Sequence, residues 1–195
     1  MSITKEQNSA AGELVELIAL KIGDGNRAIH PETAISASAR LAGSLLLRSF
    51  NLDPNVGEPG SVLLSEEANK QGPILVNILS GFLSASNIQI DKEKVGGNEK
   101  LRGEDPHLTT IESIALLQNE ALNICKENSL NMQSSAQAAA LATAFVVKEC
   151  APQIGTETAF NVAILGFIEG SKTIPPKIAT KASSTNHKRP WYKIW

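Results

Sequence analysis

A chain of 195 residues with 42% apolar and 19% charged residues is sized and composed for one globular domain with a core of its own. Aromatic residues are only 4%, so that core must be built from Leu, Ile, Val and Ala. The net charge of −2 hides an asymmetry: residues 171–195 hold six cations and no acid, which leaves the rest of the chain at −8.

An acidic body argues against a nucleic-acid-binding domain and leaves only the basic tail as a candidate for such contact. Two cysteines, Cys125 and Cys150, are too few for a disulfide-rich scaffold or a four-ligand zinc site. The start, MSITKEQNSAAGE, does not read as a signal peptide. The longest apolar stretch, 73–90, is interrupted by Asn77, Ser80, Ser84, Ser86 and Asn87, so no membrane span is expected. A soluble, cytoplasmic protein is the expectation.

The first predicted helix covers 5–22. Thr4 and Gln7 have the spacing of a capping box, Gly23 supplies the stop, and Leu14, Leu17 and Ile18 lie on one face. A turn at Asp24-Gly25-Asn26 leads to a second helix over 31–50. Pro31 suits its first position, and Glu32 suits the positive end of its dipole. Ala34, Ser38, Ala39, Ala42 and Gly43 give it a small-residue face, with Arg40 and Arg48 expected on the wetter side.

Two prolines and two glycines mark 51–60 as a loop, and 62–64 reads as a short extended piece. Ser65 is the expected N-cap of a third helix that Pro73 should kink or split into 65–71 and 73–85. Its second half, PILVNILSGFLSA, is apolar nearly all round and is expected to be central and buried. Residues 91–106 read as an exposed loop. A fourth helix follows over 109–128, with Thr109 and Glu112 as a second capping box, and a fifth over 132–150 that ends before Pro152. The small-residue seam of the fifth runs through Ala136, Ala139, Ala140 and Thr143. A sixth helix covers 157–169, with Gly170 as its stop. The expected fold is therefore all-α: six main helices packed around the third and sixth, as a domain over 1–170 with a basic, aromatic tail over 171–195.

No catalytic motif stands out. Gly166-Phe-Ile-Glu-Gly170-Ser-Lys172-Thr173 fails as a phosphate loop in glycine spacing, in the serine before its lysine, and in following a helix. A polar pocket near His107, Glu112 and His30 is the one candidate for a small-ligand site. The five-residue step from His107 to Glu112 is wrong for two metal ligands on one helix face, and Thr109 capping already accounts for Glu112. No metal and no cofactor is expected, even with Glu66, Glu67 or Glu120 added. Cys125 and Cys150 read as core thiols. Asn77 and Asn161 sit within apolar runs, where a buried amide needs a partner.

The aromatic residues of the tail carry the clearest signal. Both tryptophans and the only tyrosine lie within 191–195. Trp191, Tyr192 and Trp195, with Lys188 and Arg189 before them, form a candidate interaction segment, since such rings bury large areas once they find a surface. The expected function is protein–protein contact in a homodimer formed through the small-residue faces of the second or fifth helix. The alternative is a small-ligand-binding protein or enzyme with an inter-helix pocket near His107 or His30.

Overall fold

A computed structural model describes residues 3–23, 29–50, 57–91, 93–95 and 103–178. The expected turn at Asp24-Gly25-Asn26, and most of the segment that carries the expected tail, lie outside them. Among the described residues, seven helices form the framework: α1 (Lys5–Ile22), α2 (Pro31–Arg48), α3 (Glu66–Gln71), α4 (Pro73–Ala85), α5 (Thr110–Glu127), α6 (Met132–Ile154) and α7 (Thr156–Lys172). No strand occurs among those residues, and the one pairing of that kind there is an antiparallel bridge, Val62 to Thr173.

Local signals explain most helix boundaries. Both capping boxes form: Thr4 with Gln7, and Thr109 with Glu112. Ser65 caps α3 by accepting from the Ala68 N–H. Pro73 divides the third predicted helix as expected, with Gly72 carrying the chain from α3 into α4. Pro152 does not end α6. It lies exposed in the last turn, and the helix runs on to Gly155, whose φ of +90° suits a glycine.

The centre of the molecule is α2, which corrects the expectation for 73–85. All sixteen residues from Glu32 to Leu47 are buried, whereas α4 buries only Leu75, Leu79 and Leu83. Those three form a single stripe at i, i+4, i+8, and α4 lays it mainly on α6. Small side chains explain why α2 is enclosed. Alanine, serine and glycine on every side let α6 and α7 approach at close range.

The closest approach is to α7, where Ala39 and Gly43 of α2 meet Gly166 and Gly170. A Cβ on Gly43 would lie 2.5 Å from the Phe167 carbonyl oxygen, and one on Gly170 would collide with the Arg40 carbonyl. Gly170 is thus a packing residue inside the helix and not its stop; α7 continues to Lys172.

The two arginines of α2 are not on a wet face either. Arg40 is 6% exposed. Its Nε donates to Glu169 at 2.6 Å, and its Nη1 donates to the Leu108 carbonyl and the Ser113 hydroxyl at 2.7 and 3.2 Å. Arg48 is half-buried and donates through Nη2 to Gln118 and to the Pro176 carbonyl. Burial lowers its pKa.

Candidate functional site

Two places concentrate features beyond what the core requires. The first is the N-terminal end of α2. His30 is the N-cap: its Nδ1 accepts from the Thr33 N–H at 3.3 Å and lies 2.9 Å from the Thr33 hydroxyl. That hydroxyl also accepts from the His107 N–H at 2.9 Å. With Nδ1 used as an acceptor, the ring proton sits on Nε2 and donates to Glu104 at 3.3 Å. The His107 ring stacks on His30 with centroids 4.1 Å apart.

His30 and His107, predicted as neighbours in a pocket, are therefore brought together. Glu112 is committed elsewhere: both of its expected capping bonds to Thr109 are made, and those bonds hold its pKa below the usual carboxylate value. Glu32, buried beside His30, accepts from the Glu104 N–H at 3.1 Å. The acids next to the imidazoles thus have structural duties, and the cluster works as a clip that ties 103–107 to the start of α2. Among the described residues, no group of three or more His, Cys, Asp or Glu side chains is placed to hold a metal ion. Cys125 and Cys150 are free and buried, and burial raises both thiols, Cys150 to about 11.

The second place is the seam between α4 and α7. These antiparallel helices both rest on α6 but hardly touch each other. At the α3 end, a recess of about 450 Å³ is walled by Pro73, Val76 and Asn77 of α4 and by Ile164, Phe167 and Ile168 of α7. Further along, a recess of about 350 Å³ lies between Ser80 and Ser84 of α4 and Phe160 of α7, with Ile90 and Val95 at its end. Ile168, on the wall of the first recess, is 45% exposed, and Leu165, also on α7, is 43% exposed; Val62 and Leu64, on the strand-like piece that leads into α3, are 72% and 77% exposed.

Asn77, expected to be a buried amide, is exposed on the wall of this groove, while Asn161 is half-buried. The groove escaped sequence reasoning because its apolar residues read as core. The available signal was the excess of apolar residues on 73–85 over the single stripe that a packed helix needs.

The predicted interaction residues Lys188, Arg189, Trp191, Tyr192 and Trp195 lie outside the described residues. The predicted dimer faces do not lie at the surface. Ala34, Ala39 and Ala42 of α2, and Ala136, Ala139 and Ala140 of α6, are all buried within the one chain. No described helix is long and apolar enough to cross a membrane. No protein-family profile, curated protein or solved structure matches this chain.

Proposed function

We propose that this protein acts through protein–protein contact, as a homodimer, and that the contact face is the α4–α7 groove with its rim. One observation carries the reading: two recesses of about 450 and 350 Å³ open between α4 and α7, and Ile168 on the wall of the larger is 45% exposed. Exposed apolar surface around such a recess is the kind of feature that marks an interaction site. The buried small-residue seams of α2 and α6 are no longer available for that role. The reading does not require catalysis: the histidine cluster is tied up in backbone and capping bonds, and neither recess includes His30 or His107.

Sedimentation equilibrium at micromolar concentration tests the proposal. The expected mass is twice the 20.7 kDa of the chain. Ile168→Lys should shift the equilibrium toward monomer about tenfold or more, because it places a charge at the centre of the contact. Leu20→Lys, at a 77% exposed position on α1, should leave it unchanged. A wild-type chain that sediments as a monomer would refute self-association.

A further inference from the structure

The larger of the two recesses differs from the smaller in one respect: a cation lines it. Ile164, Phe167, Ile168, Ser171 and Lys172 are spaced i, i+3, i+4, i+7 and i+8, so a single face of α7 carries the apolar wall and ends on Lys172. Ile164 and Lys172 stand about 12 Å apart along that helix. Phe167 is buried, and Ile164 and Val76, on facing walls, are half-buried. The recess therefore has an apolar body with a charge at one end. In the smaller recess the only polar lining is Ser80 and Ser84.

Lys172 is half-buried, and no carboxylate among the described residues pairs with it. Lys21, also half-buried, is held by Glu120 at 2.6 Å, and Arg40 by Glu169. No acid lines the recess: on α3, Glu66 is paired with Lys70, and neither Glu66 nor Glu67 belongs to the lining. The other polar side chains there, Asn69, Asn77 and Ser171, are neutral, and the Ser171 hydroxyl donates to the Ile168 carbonyl. The volume of about 450 Å³ falls within the range of small-molecule sites, about 300–1,000 Å³. Apolar walls with a few polar groups at one end suit a ligand built in the same way.

From this arrangement we infer that the larger recess binds an amphipathic carboxylate, a molecule of the free-fatty-acid type. Its apolar chain lies on Val76, Ile164 and Phe167, and its head pairs with Lys172. The amides of Asn69 and Asn77 offer neutral donors in the same recess. The site is complete within one chain, so it goes beyond the dimer reading and does not depend on it.

Calorimetric titrations of the full-length protein with decanoate, decanol and decylammonium, each below its micellar concentration, separate the contribution of the chain from that of the head. Decanoate should bind once per chain and about tenfold or more tighter than decanol, because its head adds a charge-assisted pair, and decylammonium should bind most weakly. The net charge of −2 works against that order, so the order reports on the recess and not on general attraction. Lys172→Met should bring decanoate down to the affinity of decanol and leave decanol unchanged. Lys70→Met, at an exposed lysine already paired with Glu66, should change neither. Backbone amide resonances of 164–172 and of 74–77 should move on addition of decanoate, and those of 80–84 should stay. The affinity order and the resonances are read on the wild type, so they stand whatever the stability of a variant.

Equal binding of decanoate and decylammonium, resonance shifts away from these segments, or a folded Lys172→Met that holds decanoate as the wild type does would each overturn the site. Sedimentation of the same samples keeps this apart from the contact face. A monomer that binds decanoate overturns self-association alone, and a dimer that Ile168→Lys dissociates but that binds no decanoate overturns the ligand site alone.

Discussion

At Gly43, Gly166 and Gly170 the absence of a side chain sets how near two helices come. An added Cβ at Gly43 meets backbone, the Phe167 carbonyl and the Ser171 N–H, which cannot rotate out of the way. Gly43→Ala and Gly170→Ala should therefore each destabilise the fold by about 3 kcal/mol, at the upper end for overpacking. Gly81→Ala should not, because nothing stands within 4 Å of where its Cβ would lie and alanine is the better helix former. Urea denaturation of the three variants checks the contrast.

Cys150 gives a pH signature. Burial, reinforced by Glu149 and Glu32, moves its thiol from about 9 up to about 11. The unfolded chain ionises this group first. The stability it contributes is fully present below pH 9 and is lost as pH rises from about 9 to 11. The denaturation midpoint should fall across that window, and Cys150→Ala should flatten part of the fall.

Residue-scale readings failed where a side chain did something unusual for its type. A histidine as N-cap, a buried arginine and a mid-helix glycine packed on a neighbour's backbone all depend on tertiary partners. Arg40 is tolerated inside because Glu169, the Leu108 carbonyl and Ser113 surround it, and none of the three is near it in sequence.

At the scale of elements, the helices themselves were legible. Capping boxes, prolines and 3.6-residue periodicity located every helix among the described residues, including the break at Pro73. The extra length of α6 and α7 was missed because Pro152 and Gly170 are read as breakers by default, although a proline in an exposed last turn costs little. Their ranking was not legible either. Hydropathy favoured 73–85 as the central helix, yet centrality belongs to the helix that neighbours can approach from all sides. That favours the small side chains of α2 over the large ones of α4. The α6 seam follows the same rule within one chain, since Ala139 is 1% exposed. Ala139→Leu should cost about 1–3 kcal/mol, and the cost should be independent of protein concentration. A penalty that grows on dilution would instead place that seam between subunits.

For the whole molecule, composition indicated an all-helical domain with a core poor in aromatics, and the charge asymmetry of the chain was evident. The groove was not, because it arises from a relation between two helices that share a support without packing together. No pattern along one helix encodes that relation.

The central place of α2 has a consequence for synthesis. Its sixteen enclosed residues are made well before their principal covers, α6 and α7; α7 ends at Lys172, some 124 residues after Arg48. At about 5–20 residues per second, α2 waits roughly 6–25 s between its own translation and that of its final cover. Until α5 is made, Leu41, Leu45, Leu46 and Leu47 have only α1 and the short α3 to lie against, so the nascent chain carries a largely uncovered leucine cluster that a holding chaperone would recognise.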